Sequence, residues 1–365
     1  MDKNKIKRLC ITKIKNNISN GILCASPSEL PDYRYYWIRD AALVYRCIIE
    51  EHLRTGQFLP EILNYIETET KAQQTSTLTG IGEPKFNLDL SSFNKPWGRP
   101  QNDGPALRGL NMIKLYHFFY TKKYVSICNN VILPVIERDI DYIINNYNKP
   151  SFDLWEEKYG WHFYTRVVQF KCVKDYSLFM NRFSFHYDRD RIDKLLYDML
   201  LKINHHKTET GIISSFNVDG SVEKANDSSI IMALTHADFD GTILETIDIS
   251  LFKNSADTIA KEFRNKYKSE THGMVGRYID DTYYGGHIWI ICSLAFSQFY
   301  LYLYSKEKRF IYKKKATDII NYIIEIDTNH DIAEQYDIDN NKQVSADILS
   351  WIYSELYFCC KLLEL

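Results

Sequence analysis

No stretch of this sequence is apolar enough to span a bilayer, and its opening residues, Met1-Asp2-Lys3-Asn4-Lys5-Ile6-Lys7-Arg8, contain no apolar run of the secretory kind. The expectation is a cytoplasmic protein without membrane contact. Net charge is also scarce, with 45 Lys and Arg against 47 Asp and Glu. That balance excludes the basic field that nucleic-acid binding needs, so the partner is expected to be small or uncharged. None of the eight cysteines (10, 24, 47, 128, 172, 292, 359 and 360) belongs to a CxxC pair. Most lie among apolar residues in helix-like stretches, which reads as small buried side chains in a reducing compartment and against a disulfide or zinc framework. A phosphate-binding glycine loop and a Gly-x-Ser-x-Gly elbow are both missing. Asp280-Asp281 has no His or Cys at a metal-ligand spacing, and His205-His206 would point two ways on a helix. No metal and no cofactor is expected. Nor does a Pro/Gly/Ser-rich linker, a short repeat or a low-complexity tract divide the chain, so one domain over residues 1–365 is expected.

What the chain has in abundance is aromatic residues: 27 Tyr, 19 Phe and 6 Trp. A codon bias toward A and T explains such a count as well as sugar-stacking platforms do. Helical periodicity recurs without sustained strand alternation, which predicts an all-α fold. The expected helices cover 4–19, 40–54, 59–72, 104–119, 124–147, 160–182, 188–204, 226–234, 248–267, 286–305, 308–326 and 344–362. In the last of these Val344, Ile348, Trp351, Ile352 and Leu356 share one stripe, read as core.

Between the helices lie segments richer in Trp, Arg, Asp and Glu than connectors need to be: 31–40, 92–104, 152–157, 277–289 and 333–337. Polar and aromatic residues gathered on the loops of a packed scaffold suggest a site there. Phe152-Asp153-Leu154-Trp155-Glu156-Glu157 puts three carboxylates around a Trp. Glycoside hydrolysis needs one protonated carboxyl for the leaving oxygen and one ionised carboxylate for water or carbon. Like charges and an apolar wall such as Trp155 would raise one of them. A helix N-terminus would also attract such acids, and an ordinary polar loop would look like Ala333-Glu334-Gln335-Tyr336-Asp337. Arg39-Asp40, after Tyr33-Arg34-Tyr35-Tyr36-Trp37-Ile38, offers donors and acceptors to vicinal hydroxyls, or an N-cap with an ion pair.

Taken together and in order, these segments resemble the motifs of glycoside hydrolase family 15, the glucoamylases. The matching residues are Ala25-Ser26-Pro27-Ser28, Pro31-Asp32-Tyr33 and Trp37-Ile38-Arg39-Asp40-Ala41; then Gly82-Glu83-Pro84-Lys85-Phe86-Asn87 and Trp97-Gly98-Arg99-Pro100-Gln101-Asn102-Asp103-Gly104-Pro105-Ala106-Leu107-Arg108. They continue with Asp153-Leu154-Trp155-Glu156-Glu157, Gly276-Arg277-Tyr278, Asp281-Thr282-Tyr283-Tyr284, Glu334-Gln335-Tyr336-Asp337, Ser345-Ala346 and Leu349-Ser350-Trp351. The resemblance implies an (α/α)6 toroid and inverting release of terminal glucose from an α-1,4-glucan or maltooligosaccharide by a monomer.

By position it implies that Glu156 is the general acid and Glu334 the general base, with Asp153 a second candidate for the base. Reach favours Glu334, because a base must serve the far face of the sugar. An inverting pair should stand about 6.5 to 9.5 Å apart. Arg39 and Asp40 would grip the terminal glucose, while Trp97, Leu154, Trp155, Glu157 and Arg277 line the subsites flanking the bond. Tyr33, Trp37, Tyr283 and Trp289 would form walls. Asn102, Ile279-Asp280, Gly285 and His287-Ile288 depart from the family pattern and are expected to alter the pocket rim. Trehalose or an α-1,6-glucan as substrate, and a catalytically dead glucan-binding subunit, are the alternatives.

Overall fold

A helix with apolar residues every three or four positions buries one stripe, whereas a helix apolar all round needs neighbours on every side. Both kinds alternate along this chain. The computed structural model describes residues 2–326 and 329–364. Among the described residues the helices are α1 (Lys3–Asn16), α2 (Ile38–Thr55), α3 (Leu59–Gln74), α4 (Gly104–Thr121), α5 (Val125–Ile127), α6 (Leu133–Asn146), α7 (Phe163–Arg182), α8 (Arg189–Asn204), α9 (Ser229–His236), α10 (Gly241–Thr246), α11 (Ile249–Lys266), α12 (Ile290–Glu307), α13 (Phe310–Glu325) and α14 (Ser350–Leu362).

Six of them close a ring: α2 packs on α4, α4 on α7, α7 on α9, α9 on α12, α12 on α14, and α14 back on α2. Around it α1 lies on α14, α3 on α2, α6 on α4, α8 on α7, α11 on α9 and α13 on α12. This is the (α/α)6 toroid. The sequences sort accordingly. Inner α12 is buried without a break from Ile290 to Leu301, while outer α13 buries only Ala316, Ile319, Ile320 and Ile323. Polar groups in the ring are paired, as burial requires. Glu355 accepts from Gln298 at 2.6 Å, Trp351 at 2.9 Å and His236 at 3.2 Å, and Arg108 bridges Glu69 and Asp139 between α4, α3 and α6.

Three expected helices begin later than their periodicity suggests. Residues Tyr159–His162, Ile288–Trp289 and Lys342–Val344 are short strands, so α7, α12 and α14 start at Phe163, Ile290 and Ser350. Expected helix 124–147 is interrupted by a π-helical turn at Cys128–Ile132, and Pro134 follows in the first turn of α6, where its missing N–H costs least. The six-residue α10 is too short for a periodic signal.

Connections from inner to outer helices are short, such as 56–58 and 308–309, whereas those leading into inner helices are long, such as 17–37, 75–103, 205–228 and 267–289. The long connections carry every short strand. Tyr36–Trp37 pairs with Lys85–Phe86; Ser151–Phe152, Tyr159–His162, Ser215–Asn217 and Val222–Lys224 form one antiparallel sheet; and Ile288–Trp289, Gln335–Asp337 and Lys342–Val344 form another. These ribbons brace the ends of the ring helices where the site lies.

Candidate active site

The N-terminus of α2 supplies the first wall. Strand Tyr36–Trp37 feeds directly into the helix, so Trp37, Arg39 and Asp40 sit within its first turn. Arg39 donates from Nη1 to Gln101 and Asp103, both at 2.8 Å, and from Nη2 to Glu156 at 2.9 Å. Burial works against its charge, but Asp103 and Glu156 outweigh burial and keep the guanidinium ionised. Its hydrogen-bonding capacity is therefore committed largely to the protein, beyond the role in gripping sugar that the resemblance implies. Asp40 differs. It bonds to no other side chain among the described residues, and burial pushes its carboxyl up to about 7. Its oxygens are open to a ligand hydroxyl.

The acidic run forms a tight turn. The Glu156 N–H donates to the carbonyl of Asp153 at 2.9 Å, and Asp153 Oδ1 accepts from the N–H groups of Glu157 at 2.8 Å and Lys158 at 3.2 Å. Glu156 adopts φ of +66°, in the left-handed region that an ordinary side chain visits at a cost of about 1–3 kcal/mol. The turn is clamped from outside by Gly98, where a Cβ would lie 2.6 Å from the Glu156 carbonyl oxygen. Three donors hold the side-chain carboxylate of the strained Glu156. Those donors are Trp37 Nε1 at 2.9 Å, Arg39 Nη2 at 2.9 Å and Trp97 Nε1 at 2.7 Å.

Glu157, next in the chain, accepts from Arg277 at 2.7 Å, Tyr278 at 2.6 Å and Lys224 at 3.4 Å. Arg277 is fixed in turn by two bonds to Asp281, at 2.8 and 2.6 Å, and Asp281 also accepts from Trp289 Nε1 at 3.0 Å. Trp155 donates to Asp227 and packs against Trp289 with 5.7 Å between ring centroids. Lys224, nearly buried, lies within 4 Å of Asp153, Glu157 and Asp227. Burial opposes the charge on Asp153, but Lys224, His162 and the two backbone N–H groups hold it below the usual carboxylate range.

Glu334 closes the opposite side. Its backbone N–H donates to the carbonyl of Ala346 at 2.8 Å, and its carbonyl accepts from Ile290 N at 3.0 Å, so two strands and a ring helix fix it. Oε2 accepts from Ser345 Oγ at 2.5 Å and faces Tyr33 Oη at 3.4 Å. Ser345 also has a left-handed backbone, φ +69°. The side chain is 3 % exposed, and burial pushes its carboxyl up to about 7 despite the Ser345 bond. Among the carboxyls that line the pocket, those that burial raises are Glu334 and Asp40, which stand on other segments than the acidic run on which the sequence reading places that effect.

One pocket of about 210 Å³ joins these groups. Tyr33, Trp37, Arg39, Asp40, Trp97, Leu154, Trp155, Glu156, Glu157, Arg277, Tyr283, Trp289 and Glu334 all line it. Of the residues expected to be catalytic or to contact the sugar, only Asp153 does not. It sits behind the acidic turn and ties it together. Ala25, Ile291, Leu349 and Trp351 line the pocket as well. Of the stripe read as core, Trp351, Ile352 and Leu356 are buried on α14, whereas Val344 and Ile348 precede the helix and are half-buried; Trp351 donates to Glu355 and also lines the pocket.

The expected rim changes lie elsewhere. Asn102 is buried and accepts from Tyr142 at 2.7 Å; Ile288 is buried in its strand; and none of Asn102, Ile279, Asp280, Gly285, His287 and Ile288 lines the pocket. Gly286 turns at φ +60°, where a Cβ would collide with the Asp281 carbonyl. Among the described residues no group of three or more His, Cys, Asp or Glu is arranged to hold a metal ion, and no helix is long and apolar enough to cross a membrane.

Comparison with known proteins agrees with this geometry. Residues 4–357 match the family described as glycosyl hydrolases family 15. Glucoamylase-1 of Schizophyllum commune is 28% identical over 298 residues, which cover 77% of this chain and 51% of that protein. The probable glucoamylase of Schizosaccharomyces pombe is 27% identical over 387 residues, covering 93% of this chain and 84% of the other. The chain thus spans about half the length of the first and most of the second. The solved structure of Hormoconis resinae glucoamylase superposes with a TM-score of 0.86 at 23% identity, covering 99% of this chain and 73% of that one, and shares the fold.

Proposed function

The chain belongs to glycosyl hydrolase family 15, and from that premise we propose that it is an inverting exo-glucosidase removing terminal glucose from α-1,4-glucans. The observation that carries the reading is that Glu156 and Glu334 line one and the same pocket. No hydrogen bond joins them. They stand at the two ends of the Tyr33–Trp37 ring pair, whose centroids are 5.6 Å apart: Tyr33 reaches Glu334 and Trp37 donates to Glu156.

In the proposed mechanism Glu156 gives its proton to the glycosidic oxygen as the bond to the anomeric carbon breaks, and the bond's electron pair leaves with that oxygen. Glu334 takes a proton from a water whose oxygen joins the same carbon from the opposite face, so β-glucose forms from an α-linkage. Asp40 accepts from hydroxyls of the bound ring, Trp37 and Tyr283 face its apolar sides, and Glu157 with Arg277 contacts the leaving sugar. Asp153 positions the turn. Buried free thiols such as Cys10 and Cys359 suit a reducing cytoplasm, where glycogen or soluble maltooligosaccharides are the available substrates.

A proton NMR time course of maltotriose digestion tests the reading in one experiment. β-glucose is expected as the first product. α-glucose first, hydrolysis of trehalose or isomaltose in preference, or no turnover of any of them would overturn it.

The base must be ionised, and its folded-state carboxyl sits near 7, so kcat/KM should fall as pH drops through that region. Ser345→Ala removes a donor that favours the ionised form. The acid limb should therefore move to higher pH, by about one unit for a lost bond to a charged group. A limb that stays put would show that Glu334 does not set it.

A further inference from the structure

Lys85 is a buried charged group that the proposed mechanism leaves unused. It is 1 % exposed and, among the described residues, has no ion pair within 4 Å and no side-chain hydrogen bond. Its Nζ is enclosed by four rings instead, 3.3 Å from the centroid of Trp97, 4.1 Å from Phe93, 4.2 Å from Tyr35 and 4.5 Å from Trp37. The placement follows from strand register, because Lys85 is the direct antiparallel partner of Trp37. An unpaired ammonium is costly to bury, and only the negative faces of the rings offset that cost locally.

Two of those rings, Trp37 and Trp97, hold Glu156 through their N–H groups. A cation against an indole face draws electron density from the ring and strengthens the N–H at its edge. We propose that Lys85 is a positioning residue for Glu156: through the two indoles it fixes their N–H groups on that carboxyl and stabilises the carboxylate formed when the proton passes to the glycosidic oxygen. The inference rests on the proposed role of Glu156. Burial, the largest influence on the lysine, pulls its amine down to about 8, while the charge of Glu156 works the other way, so the two sites sense one another. Asp32, Arg99 and Lys95 are the other charged groups that face it.

Lys85→Met keeps the stem among the rings and removes the charge; Lys85→Arg keeps a charge that does not titrate. The experiment compares kcat against pH on maltotriose, whose leaving group needs a proton, and on α-glucosyl fluoride, whose leaving group does not. For Lys85→Met we expect kcat on maltotriose to fall about tenfold or more and turnover of the fluoride to stay within about twofold of the parent protein. The alkaline limb on maltotriose should move to higher pH, because a nearby cation favours the charged form of a carboxyl and its loss disfavours that form. Lys85→Arg should keep the limb in place. Lys85→Gln makes the same neutralisation should the methionine variant fold poorly, as judged by circular dichroism and melting temperature.

An unmoved limb, or equal losses on the two substrates, would overturn the inference and leave Lys85 as packing. A parent protein that releases no β-glucose from maltotriose, or a fully active Glu156→Gln, would defeat the assignment of Glu156 itself. A parent protein that passes both tests beside a Lys85→Met that behaves like it defeats the lysine alone.

Discussion

Glu334→Gln is expected to lower kcat on maltotriose by about 10²- to 10⁴-fold, the range for a lost general base, and to lower turnover of α-glucosyl fluoride by a similar factor. The reasoning is positional. Glu334 is held by its backbone to Ala346 and Ile290 and by its side chain to Ser345, so the glutamine keeps the shape of the wall while losing the proton acceptor. Water attack is common to both substrates, so a better leaving group does not relieve the loss. KM for maltotriose should change little, because the contacts proposed for the terminal ring belong to Asp40 and the aromatic walls. Glu334→Ala opens space beside the anomeric carbon, and azide should then restore turnover and yield β-glucosyl azide. Fluoride hydrolysis by Glu334→Gln at the rate of the parent protein would remove Glu334 from the attack step.

The ring of helices was legible because burial imposes different patterns on its two layers. An outer helix such as α13 carries a stripe that leaves a periodic trace, whereas an inner one such as α12 is apolar all round and is marked by the length of its apolar run. The strands left none. At two to four residues they are shorter than any alternation that could announce them, and they form because the long loops must satisfy their backbone groups somewhere above the ring. The pocket-lining residues inside runs of matching motif were singled out for the same reason that the family was.

What escaped is of another kind. Asp227 and Lys224 lie on the 205–228 connection, a segment with no motif of its own, and reach the site only because the four-stranded sheet folds that hairpin against the acidic turn. Ser345 and Lys85 lay within recognised motifs, but a left-handed turn and a cage of four rings are properties of space, not of spacing. The reverse error, reading Asn102 and Ile288 as rim, came from sequence neighbours of pocket residues that point into the core.

Glu156→Gln should show the opposite selectivity: a loss of about 10²- to 10⁴-fold on maltotriose and less than about tenfold on α-glucosyl fluoride. Arg39, Trp37 and Trp97 all donate to Glu156. The same three donors then favour the step itself, because they meet the negative charge that grows on Glu156 as its proton departs. Removing the carboxyl costs that transition-state interaction and the proton together, but only where the leaving group needs both. Comparable losses on the two substrates would place Glu156 on the attack side, and a variant impaired on the fluoride alone would exchange the roles of Glu156 and Glu334.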